Sequence, residues 1–379
     1  MALNLPDFPW DALEPYAARA RAHPQGMIDL SVGSPVDATP AIIRDALAAA
    51  SDAHAYPQTA GTPELREAIV EWFARRRGVE LGAGNVLPTI GSKEFVAGLG
   101  LFLGLGPGDT VVHPAAAYPS YALGAAVVGA SAVAEDDPSR WPESTRLIWL
   151  NSPGNPNGRV LGVAELRAAV ARARELDAVI ASDECYAELN WAENRPTVSI
   201  LDPRVTDGSR HNILAVCSLS KQSNLAGYRA GFVGGCSRVL GQVLAVRKHL
   251  GLMVPAPVQA AMVAALGDEA HVDAQREMYR ARRDVLRAAL EASGYRIDHS
   301  EAGLYLWASR GEPAWDTVAR LADAGILAVP GTFYGDDTHV RIALTARDEA
   351  IAQAARRLEK VSSGIEGILD GSTVDGSAN

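Results

Sequence analysis

The stretch NILAVCSLSKQSNLAGYRAGFVGG, residues 212–235, decides the architecture of the chain. Asn212 to Cys217 is rich in β-forming residues and ends on Ser218-Leu219-Ser220-Lys221. A second apolar run, Ala230–Gly234, follows only a few residues later. Between Ser218 and Arg229 there is no acidic residue to pair with the lysine. Lysine heads seek water or a carboxylate, so Lys221, set between two apolar strands, reads as a reactive amine. A buried lysine paired with a carboxylate distant in sequence is the alternative.

Outward from this stretch, strands alternate with helices. The runs Val86–Ile90, Thr110–His113, Arg146–Asn151 and Ala178–Ser182 have strand character, and Val163–Leu176 has apolar residues at helical spacing. This alternation predicts an α/β domain with a mostly parallel sheet. Leu240–Leu250 continues as a helix until Val254-Pro255-Ala256-Pro257 breaks it, and His271–Ala292 is a long, charged amphipathic helix. Strands at Leu304–Ala308 and His339–Leu344 flank a helix at Trp315–Ala324, which predicts a smaller α+β domain. The expected division is 36–250 for the large domain, 1–35 with 251–361 for the small one, and a flexible Gly/Ser-rich tail at 362–379.

Composition narrows the function. The chain has 379 residues, 48% of them apolar, enough for two cores. A net charge of −10 opposes nucleic-acid binding, which needs a basic surface. Cys185, Cys217 and Cys236 form no C-x-x-C pair, and no histidine spacing suggests a metal site, so none is expected. No basic, apolar leader opens the sequence and no apolar run reaches bilayer length, so the expectation is a cytoplasmic protein without membrane contact.

Ligands of open α/β sheets bind beyond the carboxyl ends of the strands. Those ends carry Gly91-Ser92-Lys93-Glu94, then Ser152-Pro153-Gly154-Asn155, then Asp183-Glu184-Cys185-Tyr186, then Ser218 to Lys221. Together they offer a phosphate cradle, an amide, a carboxylate with a phenol, and an amine. That set suits pyridoxal 5′-phosphate. A neutral lysine condenses with an aldehyde, and a carboxylate, Asp183, keeps a pyridine nitrogen protonated. Asn155 and Tyr186 can donate to the ring's phenolic oxygen. Backbone N–H groups at Ser92 and Lys93 can hold the phosphate, with Ser218 and Arg229 completing the cradle.

The sequence resembles the class I/II aminotransferases of the fold-type I, pyridoxal-phosphate-dependent superfamily. The motifs that carry this are "LSVGSP" at 30–35, "YPQTAGTPELREAI" at 56–69, "GSKE" at 91–94, "GPGD" at 106–109 and "YPSY" at 118–121. They continue with "NSPGNPNG" at 151–158, "DECY" at 183–186, "SLSK…AGYRAGF" at 218–232 and "HVRIAL" at 339–344. The resemblance implies a large domain with a mostly parallel seven-stranded sheet between helices. It implies that Lys221 forms the Schiff base and that Tyr118 stacks on the cofactor ring. Arg341 would clamp the substrate α-carboxylate, with the Gly33 backbone beside it. Tyr56 would reach the phosphate of a neighbouring subunit, which implies a homodimer with shared sites acting on amino-acid and keto-acid substrates. Ser34 stands where many relatives have glutamate, and Asn157 where many have threonine. The segments 8–40 and 218–235 are similar to actinobacterial N-succinyldiaminopimelate aminotransferases. Those would move an amino group between glutamate and N-succinyl-2-amino-6-ketopimelate.

Plainer roles exist for each residue. Asp183 can be a strand-end cap, Asn155 a turn residue, Tyr186 helix-face core and Tyr118 loop packing. Arg341 and Arg229 can sit in structural ion pairs, Tyr56 can be half-buried, Ser92 and Lys93 can merely start a helix, and Gly33 and Gly91 can merely permit turns. Ser218-x-x-Lys221 also matches a β-lactamase motif, but the partner motifs S-D-N and K-T-G are missing. The glycines near Gly98 and Gly104 are misplaced for a dinucleotide loop. Among related reactions, a C–S β-lyase and an aromatic or histidinol-phosphate transaminase stay open. A non-catalytic regulatory module is the remote case, since too few residues precede Gly33 for a DNA-binding helix-turn-helix.

Overall fold

The computed structural model describes residues 9–362 apart from 193 and 195. The tail expected from 362 onward lies, but for its first residue, outside that range.

Seven strands form the large sheet: β1 Val86–Ile90, β2 Thr110–His113, β3 Ser131–Ala134, β4 Thr145–Asn151, β5 Val179–Asp183, β6 Ile213–Ser218 and β7 Ala230–Gly235. Their order is β1-β7-β6-β5-β4-β2-β3. Only β7 runs against its neighbours; the rest are parallel. The central strands are buried on both faces, which is why they read as unbroken apolar runs. Their residues alternate between two cores. Ile148, Ile180 and Ile213 join the core that holds Ile69, Phe73 and Val170. Trp149, Ala181 and Leu214 join the one that holds Phe95, Leu99 and Val243.

Local chemistry sets the helices. Pro63–Arg77 starts where Thr62 accepts from the Leu65 N–H and stops at left-handed Gly78. Val163–Glu175 is opened by Glu165, which accepts from the Gly162 N–H at 2.7 Å, and buries Leu166, Ala169, Val170 and Ala173 on one stripe.

The smaller sheet contains β8 Arg296–Asp298, β9 Tyr305–Ser309, β10 Val329–Pro330 and β11 His339–Ala343, in the antiparallel order β10-β11-β9-β8. Its apolar cluster draws Leu13, Ile28 and Leu30 from the N-terminal part, and Tyr279, Leu286 and Ile351 from the long helices.

The edge strand β3 is absent from the strands expected above; it is short and largely solvent-facing, so burial leaves no pattern there. The division expected at residue 250 falls within material packed on the large sheet. Helix Ala256–Gly267 places Ala261, Met262, Ala265 and Leu266 in that core, and we propose that the boundary follows Gly267. Among the described residues no helix is long and apolar enough to cross a membrane.

Candidate active site

Because β1, β2, β4, β5 and β6 point the same way, their carboxyl ends share one edge. A cavity of about 450 Å³ opens there. Gly33, Ser92, Lys93, Tyr118, Asn155, Asp183, Tyr186, Ser218, Lys221, Arg229 and Arg341 all line it. Tyr56 does not: it is 95% exposed on the surface of the chain. Asp183 and Ser218 are the last residues of β5 and β6 rather than the first beyond them.

Asp183 sits at the floor. Tyr121 donates to its Oδ2 at 3.1 Å. The Cys185 N–H donates to Oδ1 at 3.2 Å, and the Cys185 thiol donates to the same oxygen. Burial pushes the Asp183 carboxyl above its ordinary range, against the pull of these hydrogen bonds. Burial likewise raises the Tyr121 hydroxyl and the Cys185 thiol, so both stay protonated as donors. A cationic N–H at this carboxylate would offset its desolvation.

Lys221 extends from the short helix Leu219–Gln222, which Ser218 caps by accepting from the Ser220 N–H at 3.2 Å. The lysine Nζ donates to the Gly33 carbonyl, and among the described residues no carboxylate pairs with it.

Helix Gly91–Phe102 begins at the cavity with no side chain capping its first turn. Its N–H groups are therefore open to an anion. Gly91 has φ of +69°, and a Cβ there would collide with the Arg229 guanidinium, so glycine lets the arginine lie across the helix start. Glu94 fixes this turn, accepting from the Ile90 N–H at 3.2 Å and from buried Arg247 at 2.6 and 2.8 Å. Arg229 Nη1 donates to the Ala226 carbonyl at 2.9 Å; among the described residues it has no carboxylate partner.

The opposite wall belongs to the small sheet. Arg341 is 2% exposed and also lacks a carboxylate partner among the described residues. It donates to Asn155 Oδ1 at 3.0 Å and to the Ser31 carbonyl at 2.8 Å, and its Nε is buried without a hydrogen bond. Its guanidinium lies 4.0 Å from the centre of the Tyr305 ring and 4.9 Å from that of Tyr334. Among the described residues the fold gives this arginine no structural carboxylate.

The irregular strip Ser31–Thr39 runs between these walls and is held by its carbonyls. Arg341 takes that of Ser31, Thr345 that of Val32 at 2.9 Å, Lys221 that of Gly33 and Asn224 that of Ala38 at 3.4 Å. At Gly33 a Cβ would overlap the Tyr305 hydroxyl, so only glycine allows the strip this close. Farther along, Asp37 accepts two bonds from Arg282, at 2.7 and 2.8 Å.

Sequence reading misses Tyr121, Tyr305 and Trp10, all of which line the cavity. Tyr121 closes the "YPSY" motif and sits one helical turn beyond Tyr118, which is the available cue. Tyr305 looks like an ordinary aromatic strand residue. Trp10 reaches the site by folding back across the mouth, where it meets Tyr118 and Phe333 with ring centres 6.1 and 5.4 Å apart.

Comparison with known proteins agrees with this arrangement. Residues 25–358 match the family described as aminotransferase class I and II. The chain is 56% identical over 358 residues to the 4-dedimethylamino-4-oxo-anhydrotetracycline transaminase of Streptomyces rimosus, covering 94% of this chain and 99% of that one. It is 53% identical to a probable aminotransferase of Mycobacterium tuberculosis, covering 94% and 86%. The solved N-succinyldiaminopimelate aminotransferase of Mycobacterium tuberculosis superimposes with a TM-score of 0.85 at 27% identity, covering 94% and 97%.

Proposed function

Since the chain belongs to the class I and II aminotransferases, we propose that it passes an amino group from glutamate to N-succinyl-2-amino-6-ketopimelate. The family and its fold-type I neighbours use pyridoxal 5′-phosphate. The residues present fit that group: a desolvated carboxylate at Asp183, an amine at Lys221, an open helix start at Ser92, and Arg229 free of any carboxylate partner among the described residues. Lys221 would hold it through Nζ, Asp183 would face its ring nitrogen, and Asn155 and Tyr186 would donate to its phenolic oxygen. Ser92, Lys93, Ser218 and Arg229 would hold its phosphate, and Tyr118 would cover its ring. When bound, the cofactor supplies an aldehyde for the substrate amine and a ring that withdraws electrons from the substrate Cα.

The chain's own groups do the rest. Arg341 binds the α-carboxylate and so orients the Cα–H bond toward Lys221. Asn155 Oδ1 is occupied by Arg341, which leaves its amide N–H groups as donors. Lys221 Nζ takes up the Cα proton and hands one back on the return half of the reaction. Tyr118 and Trp10 limit water at the mouth. Tyr56 of a second copy would reach the phosphate, which makes a homodimer the working form and accounts for an exposed tyrosine on a single chain.

The observation that carries this reading is the buried Arg341, a cation without a counter-ion among the described residues, facing the same cavity as Lys221 and Asp183. The acceptor rests on the likeness to N-succinyldiaminopimelate aminotransferases and on Lys93. Lys93 adds a further cavity cation, which donates to the Tyr118 hydroxyl at 3.4 Å and has no carboxylate partner among the described residues, so a distal carboxylate can settle there. The 56% identity to the Streptomyces enzyme favours one second reading, an oxo-tetracycline-like ketone as acceptor. A half-reaction screen separates them. Holoenzyme is mixed with single amino acids while the cofactor absorbance is followed, and the aminated form is then offered each acceptor. Conversion by glutamate, then reversal by the succinylated keto acid, is expected. Reversal by the polycyclic ketone alone would transfer the assignment to it, and no response to any amino acid would end the aminotransferase reading.

A further inference from the structure

Tyr305 and Arg341 stand on adjacent antiparallel strands. In register, Arg341 faces Trp307, and Tyr305 faces Ala343. Tyr305 is thus the diagonal neighbour of Arg341 on one face of the sheet, within reach of a long side chain. The same diagonal recurs one step along, where Trp307 stacks on His339 with ring centres 4.9 Å apart. On this face each aromatic ring of β9 therefore supports a basic side chain of β11.

The Tyr305 hydroxyl does something different. It lies 3.4 Å from the Tyr186 hydroxyl, with the two rings edge to face at 5.9 Å. It also closes on Gly33, whose carbonyl takes the Lys221 bond. Burial alone would raise the Tyr305 hydroxyl, but the charges of Arg341 and Lys221, with the hydrogen bond to Tyr186, bring it below its ordinary value.

We propose that Tyr305 is a positioning residue with two separable parts: its ring holds the Arg341 guanidinium in place for the substrate carboxylate, and its hydroxyl orients that of Tyr186. The first part rests on the reading of Arg341 given above. The ring supplies a face that keeps the guanidinium plane fixed while its partnerless Nε and the edge toward the cavity wait for an anion. The hydroxyl supplies Tyr186 with a fixed partner at 3.4 Å, which restricts the directions left for its own hydrogen bond.

The test compares Tyr305→Phe, Tyr305→Leu, Tyr186→Phe, Arg341→Met and the Tyr186→Phe/Tyr305→Phe double variant as holoenzymes. Binding of 2-methylglutamate, which has no Cα proton to lose, is titrated by the cofactor's absorbance, and cofactor retention is measured separately by dilution. Tyr305→Leu should weaken 2-methylglutamate binding about tenfold or more, as loss of a desolvated cation–π contact predicts, while Tyr305→Phe stays within about twofold. Tyr305→Phe and Tyr186→Phe should each weaken cofactor retention, and the double variant should be no worse than Tyr186→Phe alone. Should Tyr305→Leu not fold, Tyr305→Met serves in its place. Equal binding losses for Phe and Leu, or additive retention losses in the double variant, overturn the proposal. If Arg341→Met binds 2-methylglutamate as well as wild type, the carboxylate reading itself falls, and the ring's part with it.

Discussion

Lys221 and Gly33 lie 188 positions apart in the chain and meet in the cavity, where the lysine Nζ donates to the glycine carbonyl. A neutral carbonyl holds the amine without competing for its proton as a carboxylate would. Lys221→Ala should therefore fold normally and lose turnover by about 10⁴-fold, the upper range for removing a general acid–base group. Borohydride reduction of the wild-type holoenzyme, followed by peptide mapping, should place the added mass on Lys221. A variant within tenfold of wild-type turnover would falsify the assignment.

Asp183 is held by Tyr121 and Cys185 but has no cation of its own among the described residues. Asp183→Asn keeps the shape and removes the charge, so it should weaken cofactor retention and lower kcat by about 100-fold or more, a loss of roughly 3 kcal/mol. Tyr121→Phe removes one hydrogen bond to a charged group and should weaken retention about tenfold. Fluorescence titration of cofactor into the apoprotein gives both numbers. Asp183→Asn with wild-type retention and kcat would rule out its role as partner of the ring nitrogen.

The Asp37–Arg282 pair is a separate matter of stability. Arg282 is 4% exposed at its side chain and Asp37 14%. Asp37→Ala leaves the buried guanidinium with only the exposed Asp348, and should cost about 3 kcal/mol in urea unfolding. Burial pushes the Asp37 carboxyl up, but hydrogen bonds from Arg282 and Gln275 outweigh it, so its folded pKa lies below the ordinary 3.8. That contribution is complete above about pH 4 and disappears as pH falls through the lowered folded value. Wild type and Asp37→Ala should thus converge in stability below pH 4; a constant gap would contradict the pair's role.

Glu184 predicts the reverse slope. Burial lifts its carboxyl from 4.5 to about 7, against the pull of Arg77, the Ile200 N–H and the Ser199 hydroxyl. Between these values the unfolded chain has released the proton and the folded chain keeps it. Stability therefore falls as pH rises from 4.5 to about 7, by up to roughly 3 kcal/mol from this group. Glu184→Gln should flatten that portion of the stability–pH curve. An unchanged slope would show that Glu184 stays ionised throughout.

The large sheet was legible because its parallel strands are buried on both faces and so appear as apolar runs, and the residues at their carboxyl ends together bring an amide, a carboxylate and an amine to one edge. Asp183, Asn155 and Lys221 do line one cavity there, although Asp and Asn taken singly are common turn residues. The other wall was harder to see. Tyr305 is an aromatic in a strand and has the same sequence signature whether it packs a core or supports a guanidinium. Tyr121 needed the turn of its helix to be known, and the Asp37–Arg282 pair spans 245 positions that no local pattern links. The reach of Tyr56 to a second copy, as proposed, lies beyond any single chain.

At Ser31, Val32, Gly33 and Ala38 the strip is gripped by its peptide oxygens, which every amino acid supplies. Val32 and Ser34 are exposed, point away from that grip and border the cavity. Replacing those two side chains therefore alters what the mouth admits and leaves the scaffold's alignment untouched. A combinatorial library confined to these two positions is the economical way to retrain the enzyme for a different acceptor.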